Sequence, residues 1–128
     1  MTMNVLPEQV PIAFEPWELL GRCLGKPELA ARVLQKFERQ LADDLVKLEH
    51  AIEKRDATTA GSLAHRIKGA AANVAAHGVC EQAGLLETVL QMKMDDQLAS
   101  TWQGLLAERD RFLTAARTTN LHSPQPVA

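Results

Sequence analysis

The chain has 128 residues and a formal net charge of −2, with no Tyr and only 4% aromatic residues. These values fit one helical domain with a single core, because sheets draw on aromatic and β-branched residues. The small negative net charge does not favour nucleic-acid binding. No apolar run reaches the roughly 18 residues of a membrane span.

The N-terminus lacks the charged-then-apolar layout of a signal peptide, and the two cysteines, Cys23 and Cys80, form no CxxC pattern. We therefore expect a cytoplasmic protein without a disulfide. No two of the four histidines are four residues apart, so we expect no metal site.

The N-terminal part predicts an extended lead-in over residues 1–13, followed by a short helix. Pro16 suits the first turn of that helix, which is expected to end near Gly25. A long amphipathic helix is predicted over residues 27–54, where apolar side chains recur every three or four positions.

Three further helices are predicted. Asp56 is expected to cap a helix over residues 57–75, and His77–Gly78 is expected to form the next turn. A fourth helix follows over residues 78–93, and Asp95 or Asp96 is expected to cap a fifth, with the tail beginning after Thr118.

Short connections between long helices favour antiparallel neighbours. The fold expected for residues 14–118 is therefore an all-α, antiparallel up-down four-helix bundle with a short additional N-terminal helix, followed by a flexible tail over residues 119–128. Four aromatic residues at helical spacing are assigned to its core: Trp17, Phe37, Trp102 and Phe112.

The third helix carries the chain's most informative stretch. Its apolar positions form one stripe, and at about 100° per residue His65 falls on the opposite side. Lys68 and Gly69 lie one turn from His65, with Gly61 one turn before it and Ala72 two turns after. Because glycine within a helix costs about 1 kcal/mol relative to alanine, two of them beside one histidine indicate clearance for an approaching protein.

The chemistry that this face suggests is phosphoryl transfer. A neutral imidazole is a good nucleophile toward phosphorus, and a lysine one turn away can balance the charge of a phosphoryl group. The chain has no Gly-rich phosphate loop and no acidic cluster that reads as a magnesium site, so it is not expected to take phosphate from ATP by itself.

The string from Ala64 to Gly69, AHRIKG, resembles the A-H-x-[LI]-K-G core of histidine-containing phosphotransfer (HPt) domains of multistep two-component phosphorelays. The resemblance extends over roughly residues 15–117, and Leu86–Glu87 is similar to a downstream "LE" pattern. The chain departs at Ala75, where many members have glycine.

This resemblance implies that His65 is the phospho-accepting residue, that Lys68 stabilises charge, and that Gly61, Gly69 and Ala72 let a partner dock. The implied partners are response-regulator receiver domains and an upstream hybrid sensor kinase, and the receiver would supply Mg²⁺. Arg66 is interpreted as a solvated charge, and Glu87 as a surface carboxylate that could also hydrogen-bond near the site.

Two other functions stay open. A helical adaptor would bind a receiver or kinase domain without being phosphorylated. A histidine-kinase fragment would dimerise through a two-helix hairpin followed by an ATP-binding domain, whereas here we expect a monomer.

Overall fold

The computed structural model describes residues 11–122, in which all regular secondary structure is helical. The expectations for residues 1–10 and 123–128 lie outside this range. The chain forms five helices: α1 Pro16–Arg22, α2 Pro27–Glu53, α3 Ala57–Asn73, α4 His77–Gln91 and α5 Asp95–Thr118. The predicted elements are thus confirmed with small shifts at their ends.

Each of the four connections between helices is closed by the same backbone motif. At the first residue after the cap, Leu24, Arg55, Ala75 and Lys93 adopt φ angles of 54° to 61°. In every connection the next backbone N–H bonds the carbonyl five residues back, as from Asp56 to Ala51 at 2.9 Å. This is the Schellman motif, which usually places glycine at the left-handed position.

The predicted turn at His77–Gly78 is wrong by about three residues. The chain reverses at Val74–Ala76, with Ala75 left-handed at φ 61°, and His77 is already the first residue of α4. Gly78 is buried in that helix, where an added Cβ would overlap the Glu108 carboxylate. This glycine therefore lies inside α4 beside the Glu108 side chain of α5, and not at the turn.

The core joins all five helices around Phe112 of α5, which is fully buried. The Phe112 ring makes edge-to-face contacts with Phe14 and Phe37, at centroid distances of 5.7 and 5.2 Å. The core assignment is confirmed for Phe37 and Phe112, and Trp102 is half-buried and packs against the core. It is wrong for Trp17, which is half-buried on α1 and does not belong to this cluster.

The long helices pack in chain order, α2 on α3, α3 on α4 and α4 on α5. The segment before α1 is tied to the connection between α3 and α4, because Glu15 N–H bonds the Ala75 carbonyl and Gly78 N–H bonds the Ile12 carbonyl, each at 3.0 Å. Within residues 11–122, no helix is long and apolar enough to span a bilayer.

Candidate functional site

Helix α3 presents His65 to solvent. The helix is capped at its N-terminus by Asp56, whose carboxylate accepts a hydrogen bond from Thr59 N–H at 3.1 Å. Its buried side chains are Ala60, Leu63, Ala64, Ile67 and Ala71. This stripe turns the opposite side outward, and the His65 side chain is 71% exposed.

Glu87 of α4 anchors the imidazole. Its Oε2 lies 2.9 Å from His65 Nδ1, and the Glu87 side chain is only 16% exposed. Nδ1 is engaged in this way, and Nε2 has no hydrogen-bond partner among residues 11–122, so Nε2 is the nitrogen that faces solvent. A negative carboxylate beside Nδ1 stabilises a proton on that nitrogen, so this contact favours the tautomer with the proton on Nδ1 and the lone pair on Nε2.

The interpretation of Glu87 as a surface carboxylate is therefore wrong, and its carboxylate instead lies against the imidazole, where sequence reasoning had allowed for a hydrogen bond. The only sequence signal for this contact was the "LE" pattern. Residues 65 and 87 are far apart along the chain, so local spacing could not predict that they touch.

Lys68 completes a three-residue cluster with His65 and Glu87. Its Nζ lies 3.8 Å from Glu87 Oε1, while the other carboxylate oxygen contacts His65. The stem of Lys68 runs over Gly84 of α4, where an added Cβ would stand 3.4 Å from Lys68 Cδ. Gly84, which sequence reasoning missed, thus lies directly beneath the lysine stem.

Gly61 and Gly69 leave open space on either side of His65 along the helix. A Cβ built on either glycine would meet no atom within 4 Å. Neither glycine is therefore explained by close packing against another described helix. The arrangement leaves the backbone on both sides of the imidazole approachable.

Ala72 has a neighbour that the sequence did not predict. Arg22 of α1 donates a hydrogen bond to the Ala72 carbonyl, and the same guanidinium lies 3.7 Å from Glu18. The end of the α3 face is therefore bordered by a cation from α1.

Arg66 points away from this face and is not a free solvated charge, contrary to our interpretation. Its Nε and Nη2 donate to the two carboxylate oxygens of Asp44 on α2, at 3.2 and 2.5 Å. The hydrogen bonds to Asp44, and then its negative charge, raise the pKa of the Arg66 guanidinium. Asp44 is buried, so the pair fixes α3 against α2.

The other histidines lie away from the cluster. His77 pairs with Glu18 at 2.6 Å, His122 lies 3.6 Å from Glu28, and His50 is exposed on α2. In the described part of the chain, no three His, Cys, Asp or Glu side chains are grouped to hold a metal ion.

An all-helical bundle that exposes an anchored histidine, flanked by a lysine and glycines, defines a class of proteins suited to carrying a group on the imidazole. Comparison with family models gives the specific assignment, since the Hpt domain model matches residues 32–119. The chain belongs to the Hpt domain family, whose members act in histidine phosphotransfer in phosphorelays. Searches of curated proteins and of solved structures found no match.

Proposed function

We propose that this protein is a phosphorelay intermediate that accepts a phosphoryl group on Nε2 of His65 from the phospho-aspartate of a receiver domain. It then passes that group to the aspartate of a response regulator. The observation that carries this proposal is the exposed imidazole held through Nδ1 by Glu87, which leaves Nε2 directed to solvent.

The transfer step needs no proton movement at the attacking atom. The Nε2 lone pair forms the new N–P bond as the bond between phosphorus and the aspartyl oxygen breaks, and the aspartate leaves as a carboxylate. The imidazole then carries positive charge with its proton still on Nδ1, and the Glu87 carboxylate beside Nδ1 balances that charge. The reverse sequence returns the phosphoryl group to an aspartate.

Lys68 acts on the phosphoryl oxygens in this proposal. Its ammonium shares Glu87 with the imidazole and stands one turn from His65, so it can turn toward the incoming group. The receiver domain would supply Mg²⁺ and the acidic pocket, so positioning and charge balance remain for this chain to provide.

The proposed partners are receiver domains and an upstream hybrid sensor kinase. We propose that the protein acts as a monomer in the cytoplasm. We also propose that the four long helices alternate in direction as an up-down bundle, in keeping with their short connections.

The test is phosphotransfer from a panel of phosphorylated receiver domains to the wild-type protein, His65→Gln and His50→Gln. His50 is exposed on α2 without an ion-pair partner among the described residues, so its variant is the matched control. We expect label on the wild type and His50→Gln and none on His65→Gln.

Label on His65→Gln would remove His65 from the reaction. If receivers bind the wild type and none of them labels it, the adaptor function replaces the relay.

A further inference from the structure

A groove of about 580 Å³ runs between α2 and α5. It is called the α2/α5 groove here, and its walls run from Glu38 to Glu49 on α2 and from Trp102 to Leu113 on α5. On both helices the lining positions repeat every three or four residues, so each wall extends over three turns. At 1.5 Å per residue this is a length of about 16 Å.

The surface of the groove is apolar and partly open to solvent. Leu41 and Leu45 are buried at its base, whereas Val46 is 57% exposed. Trp102 and Leu106 are half-buried on the α5 side. Exposed apolar side chains aligned between polar rims are typical of interaction sites.

The rims of the groove carry excess negative charge. Glu38 and Glu49 line the α2 side and form no ion pair within residues 11–122. On the α5 side Arg109 bonds the adjacent Asp110 at 2.9 Å, so these two charges compensate each other. Two carboxylates are thus left without a counter-charge.

We propose that the α2/α5 groove binds an amphipathic helix of a partner protein, with an apolar stripe flanked by Lys or Arg. A helix of three turns matches the groove in length, and insertion of its apolar face is an established mode of recognition. Basic flanks complement Glu38 and Glu49.

Two other occupants fit the charge less well. Residues 1–10 contain one Glu and no Lys or Arg, so they cannot compensate the rims. A second copy bound through the same face would bring like-charged rims together, because such an interface is self-complementary.

Binding in this groove leaves the phosphotransfer site free. The groove is lined by α2 and α5, whereas His65 and Lys68 lie on α3 and Glu87 lies on α4. The partner could therefore hold the protein while a receiver domain reaches His65, and the proposal does not depend on phosphorylation.

The experiment measures binding of a fluorescent peptide of about 14 residues, with leucines at helical spacing and lysines elsewhere. A second peptide carries glutamate at every lysine position. The proteins compared are the wild type, Glu38→Lys/Glu49→Lys, Val46→Lys, and Leu85→Lys as a control at another half-exposed apolar position.

We expect the lysine peptide to bind the wild type and Leu85→Lys alike, and the glutamate peptide not to bind. The charge-reversed and Val46→Lys variants should each weaken binding by about tenfold. Equal binding to all variants, or no binding to the wild type, would overturn the proposal. So would a wild-type dimer in size-exclusion chromatography that Val46→Lys abolishes, since the occupant would then be a second copy.

Discussion

At the scale of single residues, the site depends on one carboxylate that contacts both the imidazole and the lysine. Glu87 contacts Nδ1 of His65 with one oxygen and approaches Nζ of Lys68 with the other. Its side chain is mostly buried, so its position is fixed by α4, while the imidazole remains exposed. This division allows a surface histidine to have a defined orientation.

Glu87→Ala should slow phosphoryl transfer to His65 by about tenfold, because the imidazole loses the contact that orients it and holds the proton on Nδ1. The rate is measured with a phosphorylated receiver domain, and ¹⁵N NMR at alkaline pH reports the tautomer. The fraction of His65 protonated on Nδ1 should fall in the variant. An unchanged tautomer ratio and rate would limit Glu87 to packing.

Lys68→Ala should also slow transfer by about tenfold, since the phosphoryl oxygens lose a nearby cation. Lys68→Arg should retain most of the rate, and Lys47→Ala, at an exposed lysine on α2, should retain all of it. Equal rates for Lys68→Ala and Lys47→Ala would show that Lys68 has no part in the reaction.

At the scale of the helices, the orientation of α3 is fixed by one contact at its N-terminus and one from its middle. Asp56 caps its first turn, and Arg66 ties it to the buried Asp44 of α2. Both contacts bear on which face of α3 points outward and therefore on the exposure of His65.

Arg66→Ala should lower the free energy of unfolding by about 2 kcal/mol, because the buried Asp44 carboxylate loses its partner. The cost is moderated by the 49% exposure of the Arg66 side chain, against 4% for Asp44. Asp44→Ala/Arg66→Ala should cost less than the sum of the single changes, as measured by urea denaturation. Strict additivity would show that the two side chains are not coupled.

Asp56→Ala should lower the melting temperature at neutral pH, and the effect should disappear in acid. Hydrogen bonds from the side chain and backbone N–H of Thr59 lower the pKa of the Asp56 carboxyl. The stability that the ionised Asp56 carboxylate contributes is thus fully present above its pKa in the unfolded chain, about 3.9. It is lost as pH falls through the lower pKa of the same carboxyl in the folded protein. Thermal unfolding of both proteins between pH 7 and pH 2, about the range in which carboxylates titrate, measures this. A difference in melting temperature that persists at the acid end would contradict it.

At the scale of the whole molecule, the helical elements and the outward face of α3 could be predicted from local spacing. These features could be predicted because they depend only on residues close in sequence: the proline positions, the Asp56 cap and the periodic apolar residues. The partners of His65 and Arg66 could not be predicted, because Glu87 and Asp44 lie 22 residues away along the chain on other helices. Gly78 misled the turn assignment because it lies inside α4, against the Glu108 side chain of α5.

Phosphorylation of the intact protein by a cognate receiver domain, followed by ¹H–³¹P correlation NMR, tests the central claim most directly. The predicted result is a single phosphoryl group on Nε2 of His65, with Nδ1 still protonated beside Glu87. A phosphoryl group on Nδ1, or on any other residue, would contradict the account.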